Sequence, residues 1–120
     1  MGKYDATFAS LKHLFAPYEP RLYISVDNET TYMLDGEYSA AFKRPMFFGG
    51  VRSGRAYVSF YLMPIYSNPE LMGNISDALR RRLHGKSCFN FTHAEPELYA
   101  ELRGLIARGF ATYERLGYVK

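Results

Sequence analysis

The sequence predicts an α+β fold, an antiparallel sheet of about five strands with the N- and C-terminal helices packed on one face. Three observations carry that expectation. Apolar residues recur at helical spacing near both ends of the chain, the middle alternates with a period of two between short turns, and nowhere do strands and helices alternate as a doubly wound nucleotide fold requires.

Tyr4, Phe8, Leu11 and Phe15 repeat every three or four positions until Pro17 and Pro20, so residues 4–16 form an amphipathic helix. From Arg21 the period becomes two. Leu22, Ile24 and Val26 are expected on one face of a strand, with Tyr23, Ser25 and Asp27 on the other. Asn28 and Glu29 turn the chain, residues 30–34 form a second strand, and Asp35-Gly36 suits a tight hairpin turn. Residues 45–51 make an apolar strand in which Gly49 and Gly50 suggest a bulge or the close approach of another backbone. After a turn at Ser53-Gly54, residues 55–63 give the clearest strand, expected to be central. Its Ala56, Val58, Phe60 and Leu62 share one face, and Tyr57, Ser59, Tyr61 and Met63 the other.

Asn68-Pro69 opens a short helix through Met72, and Ser76 caps a second that carries Leu79, Leu83 and the cluster Arg80, Arg81 and Arg82 to a stop at Gly85. Residues 87–91 alternate as a final strand. Pro96 begins a helix whose stripe of Leu98, Leu102, Leu105, Ile106, Phe110 and Tyr113 runs almost to the end. The order is therefore helix, four strands, two short helices, one strand and a long helix, in one domain over residues 1–120.

A chain of 120 residues can bury a core without staples, and its single Cys88 has no partner for an internal disulfide. A free thiol fits a reducing cytoplasm. Eleven Tyr and nine Phe make 17% of the chain aromatic, which argues against disorder. The net charge of +3 is mild, and outside Arg80–Arg82 the basic residues are interspersed with acids. That is not the stripe a nucleic-acid binder uses to neutralise several phosphates. No window approaches the roughly 18 apolar residues of a membrane span, and residues 1–7 lack the basic and apolar regions of a leader. A soluble protein without nucleic-acid or membrane partners is expected.

Specific chemistries can be weighed against structural roles. Gly85-Lys86-Ser87 has the end of a phosphate-binding loop, but Arg80 stands where that loop needs glycine, and the triplet follows a helix instead of opening one. His84, Cys88 and His93 could offer metal ligands, yet the histidines are expected at opposite ends of a strand, too far apart to share an ion. No feature places a base beside Cys88 to make a nucleophilic thiolate. Glu95, Glu97 and Glu101 surround a helix start, where negative charge favours the dipole; Asp27, Glu29, Asp35 and Glu37 fall at hairpin ends, where acids are common. Residues 55–60 (RAYVSF) echo the aromatic strand of RNA recognition motifs, but neighbouring rings divide between two faces. His13 is expected on the solvent side of the first helix.

Residues 43–51 (KRPMFFGGV), residues 56–64 (AYVSFYLMP), Asn68-Pro69-Glu70-Leu71 and residues 85–91 (GKSCFNF) together resemble the DUF1801 or YdhG-like family of small bacterial proteins, over roughly residues 40–118. The resemblance implies an α+β fold related in shape to frataxin. It also implies a role as an intracellular iron carrier, proposed for some members of the family.

The least generic feature is a sheet face. If the helices cover Ile24, Val58, Phe60 and Leu62, the opposite face carries Tyr23, Ser25, Asp27, Tyr57, Ser59 and Tyr61, with Lys86, Cys88 and Asn90 on the last strand. Tyrosines combine contact area with a hydroxyl, so this face is expected to bind a small molecule or a second copy of the chain, against the simpler role of a solvated face stabilised by cross-strand pairs. The expected function is a non-catalytic binding domain with no cofactor, the ligand contacts being Tyr23, Ser25, Asp27, Tyr57, Ser59, Tyr61, Lys86 and Asn90. The alternatives are the metal carrier that the resemblance implies and an enzyme using Cys88 or Asp27.

Overall fold

The computed structural model describes residues 2–120, and the chain adopts the α+β class expected from its sequence. The first helical stripe becomes α1 (Asp5–His13), continued by a 3₁₀ helix (Ala16–Arg21) in which Pro17 and Pro20 cannot sustain an α-helical ladder. Strands β1 (Tyr23–Asp27), β2 (Thr31–Ser39), β3 (Arg44–Ser53) and β4 (Val58–Leu62) follow as an antiparallel meander. The first turn is made by Asn28, whose Oδ1 accepts from the backbone N–H groups of Thr30 at 3.0 Å and Thr31 at 2.9 Å.

A short helix α2 (Pro64–Ser67), a 3₁₀ turn (Pro69–Met72) and α3 (Asp77–Arg80) then cross one end of the sheet. The chain returns as β5 (Leu83–His84) and β6 (Cys88–Phe91) before the long α4 (Pro96–Leu116). All neighbours in the sheet are antiparallel, in the order β1-β2-β3-β4-β6-β5, so the strand expected to be central, β4, lies inside the sheet between β3 and β6.

Both terminal helices cover the same face. Phe15 stacks on Phe60 with ring centroids 5.2 Å apart, and Phe110 and Tyr113 of α4 meet Phe48 edge-on at 5.9 and 5.4 Å. Two glycines bring these layers together. A Cβ on Gly49 would stand 2.5 Å from the Tyr61 carbonyl and 3.1 Å from the Phe15 ring, while one on Gly109 would press on Pro64 at 3.1 Å. The close approach suggested by Gly49-Gly50 is thus realised, with an aromatic ring filling the space above Gly49.

Besides the unexpected α2 and a β4 that begins only at Val58, the structure departs from the expected elements at three places. Asp35-Gly36 is strand, not turn: β2 runs on to Ser39, and the backbone N–H of Glu37 donates to the Tyr118 carbonyl at 2.6 Å. Gly36 is therefore glycine because the C-terminal segment lies against it; a Cβ there would overlap the Tyr118 carbonyl. The second short helix stops at Arg80, well before Gly85. Ser76 caps it as expected, its Oγ accepting from Leu79 N–H at 3.1 Å and donating to Glu101 at 2.6 Å. Arg82 then leaves the helix to donate two 2.7 Å hydrogen bonds to Glu95, and Gly85, at φ +76°, folds the chain into a β5–β6 hairpin that adds a sixth strand. The third departure, a bulge in β1, changes the sheet face itself.

Two buried tyrosines predict the response to alkali. Burial, then a hydrogen bond to Glu19, pushes the Tyr32 phenol well above its ordinary value of 10.0. Burial does the same to Tyr113, whose hydroxyl donates to the Phe47 carbonyl at 2.5 Å. Unfolded phenols ionise near 10 while these two keep their protons, so their stabilising effect is complete below that pH and is lost as pH rises beyond it. The urea midpoint is expected to hold from pH 7 to 9 and to fall above about pH 10. A midpoint unchanged up to pH 11 would contradict this placement of the two hydroxyls.

Candidate functional site

Among the described residues no helix lies over the second face of the sheet. Strand register sets what this face presents. Met33 opposes Gly50, Arg52 opposes Ser59, and Ser59 opposes Asn90; Gly50 and Cys88 flank Tyr61, and His84 closes the row beside Cys88. The inward set alternates with these as Tyr32, Leu34, Val51, Phe60 and Phe89, all fully buried.

Ser59, Tyr61 and Asn90 stand on this face as expected. Ser59 Oγ donates to Asn90 Oδ1 at 2.8 Å, and the Cys88 thiol donates to the same oxygen at 3.4 Å. Tyr57 precedes β4 and is 41% exposed at the rim, so the expected run of Tyr57, Ser59 and Tyr61 has its first member outside the paired strand.

On β1 the expectation fails in part. The register slips between Ile24 and Val26, so Tyr23 faces outward opposite Asp35, but Val26 joins Met33 on the open face and Asp27 is carried to the helix side opposite Tyr32. There Asp27 pairs with Lys12 of α1 at 2.8 Å. Ser25, at the bulge, donates to the Met33 carbonyl at 3.2 Å. A one-residue bulge exchanges the two sides of everything beyond it, and strict alternation of Leu22, Ile24 and Val26 could not show it. Lys86 also lies elsewhere, in the β5–β6 turn with its ammonium 5.6 Å from the Tyr66 ring centroid. The assembled face is thus Tyr23, Val26, Met33, Asp35, Arg52, Ser59, Tyr61, Cys88 and Asn90, without Asp27 or Lys86.

The hairpin also brings His84 opposite Cys88, where the sequence placed the histidines at the two ends of a strand. Burial nevertheless pushes the Cys88 thiol up from its ordinary value, against a smaller opposing effect from the Ser59 hydroxyl, so it stays protonated at neutral pH. Two of the three acids near the last helix are committed to structure: Glu95 holds Arg82, and Glu101 holds Ser76 through its N–H at 2.7 Å and its hydroxyl. Among the described residues, no three His, Cys, Asp or Glu side chains converge where one ion could reach them, and no helix is long and apolar enough to cross a membrane.

The face is shallow. Beside Tyr23 lies a hollow of about 280 Å³ walled by Asp35, Glu37, Tyr38 and Pro45, and it does not extend to Tyr57 or Tyr61. Hydrogen bonding to Glu37, followed by that carboxylate's charge, raises the Tyr23 phenol above its ordinary value. A larger, open depression of about 850 Å³ lies off the face, near the N-terminus, where Lys3 and Arg55 are balanced by Asp5 and Glu29. Comparison with protein-family models, with curated proteins and with solved structures found no match to this chain.

Proposed function

We propose that the chain is a non-catalytic binding domain whose uncovered sheet face seats a second copy of itself. The observation that carries this reading is the contrast between the two faces. One is sealed by α1 and α4; the other leaves Val26, Met33 and Tyr61 in one row across β1, β2 and β4, with the hydrogen-bonded polar group of Ser59, Cys88 and Asn90 to one side on β4 and β6. An apolar and aromatic row bordered by polar groups suits a protein interface, and the lack of depth at Tyr57 and Tyr61 favours a flat partner over a small molecule.

Charge supports self-pairing. Arg52 and Asp35 occupy opposite ends of the face, either side of the Met33–Gly50 pair. A two-fold axis lying in the face at that level carries Arg52 of each copy toward Asp35 of the other, which is the reciprocity a symmetric dimer needs. Sedimentation equilibrium should show a dimer that both Tyr61→Arg and Val26→Lys convert to monomer, with melting temperatures within a few degrees of the parent. A parent chain that remains monomeric at hundreds of micromolar, or variants that remain dimeric, would overturn this reading.

Membership of the YdhG-like family is part of the proposal. It rests on the resemblance in sequence; three of the four resembling segments fall in β3, β4 and the β5–β6 hairpin, and the fourth in the 3₁₀ turn after α2. The metal-carrier alternative would need converging ligands that the described residues do not assemble. The enzyme alternative would have to work with a protonated Cys88 and with an Asp27 tied to Lys12 on the other face. A cytoplasmic setting is proposed from the lone free thiol.

A further inference from the structure

At the end of the sheet formed by the β2–β3 loop, α2 and the end of α4, a groove of about 500 Å³ opens to solvent. Its lining is apolar and aromatic. Met46 and Met63 belong to it, Tyr66 of α2 and Leu116 of α4 lie along it, and Phe42 projects from the loop. Phe42, Tyr66 and Leu116 are each about half exposed, so large apolar groups are left in water here. The wall behind them is fixed. Tyr113 is tied by its hydroxyl to Phe47, and the Tyr118 ring packs edge-on against it at 5.2 Å. Beside Phe42, Lys43 holds a left-handed φ of 58°, a conformation that costs a non-glycine residue energy and shapes the loop carrying Phe42 and Arg44.

Charge gives the groove a sign. Among the described residues Arg44 is the only charged group that lines it, and Arg44 is in no ion pair there. Lys86 adds a second positive charge over the outer wall, above the Tyr66 ring. An apolar trough of ligand-sized volume with an unpaired guanidinium at its mouth matches an anion with an apolar body. Methionine side chains can adapt to the shape of that body. We propose that this groove binds a small amphipathic carboxylate, its apolar part on Met46, Met63 and Leu116 and its carboxylate on Arg44. The groove adjoins the hollow beside Tyr23, with which it shares Pro45, but Tyr61, Met33 and Val26 are not part of its lining, so its occupation does not depend on dimer formation.

The test uses 8-anilinonaphthalene-1-sulfonate, an anionic aromatic probe that fluoresces in apolar surroundings, with decanoate and decyltrimethylammonium as competitors of opposite charge and equal chain length. Saturable probe binding is expected, displaced by decanoate and not by the cation. Arg44→Glu, at an exposed position, should weaken decanoate about tenfold or more while the melting temperature stays within a few degrees, as loss of a charge-assisted hydrogen bond implies. Tyr61→Arg, outside the groove's lining, should leave decanoate binding unchanged. The proposal is overturned by the absence of saturable probe binding, by equal displacement by anion and cation, by unchanged affinity in Arg44→Glu, or by loss of binding in Tyr61→Arg.

Discussion

Phe15→Ala is expected to lower the free energy of unfolding by about 3–5 kcal/mol, the range for emptying a large aromatic site in a packed core. Phe15 is 0% exposed and follows the last turn of α1. Its ring stacks on Phe60, meets Phe48 edge-on at 6.2 Å and covers Gly49, where the sheet has no side chain of its own. It therefore joins the N-terminal helix to two inner strands at once. The cavity cannot easily collapse, because the neighbouring side of Gly49 is backbone. Since domains of this size are commonly stable by only about 5–15 kcal/mol, the variant should sit near the edge of folding in a urea titration. A loss below about 1 kcal/mol would show that the layers are not held together at this ring.

Gly36→Ala should cost about 2–3 kcal/mol, the larger part of the usual range for overpacking. The added methyl meets the Tyr118 carbonyl, which is backbone and cannot turn aside like a side chain. That carbonyl is held from several directions. It accepts from Glu37 N–H, Val119 next to it is buried, and the last residue is tied back by Arg21, whose Nε donates to the Lys120 carbonyl at 2.5 Å. Relief therefore requires the C-terminal segment to lift from β2. Amide exchange should show this as loss of protection at Glu37, with the central strands still protected. A neutral Gly36→Ala would mean that the segment does not lie against β2 in solution.

These two positions show what could be foreseen from sequence. Phe15 belongs to a stripe whose spacing names its partners in advance: one face of α1 must be buried, and the sheet is what covers it. Gly36 gives the opposite lesson. Its neighbour Asp35 made a hairpin turn the simplest local explanation, whereas the cause lies more than eighty residues later, in a carbonyl that passes within hydrogen-bonding distance. Local propensity carries no information about such a partner. The bulge in β1 is of the same kind. Alternation alone put Asp27 among the tyrosines, and the slip that moves it beside Lys12 comes from pairing with β2. Ser59, Tyr61 and Asn90 were legible because β4 and β6 pair without a slip. Arg44 gave no signal, since its surroundings are assembled from a loop, a four-residue helix and the end of α4.

The proposed dimer joins two copies of the chain through the open face of the sheet. Its most direct test is an isotope-filtered nuclear Overhauser experiment on an equimolar mixture of labelled and unlabelled chain. The prediction is a set of intermolecular contacts from Tyr61, Met33 and Val26, absent in the Tyr61→Arg variant. Intermolecular contacts confined to α4 or the Phe42 loop, or none at a concentration of hundreds of micromolar, would contradict it.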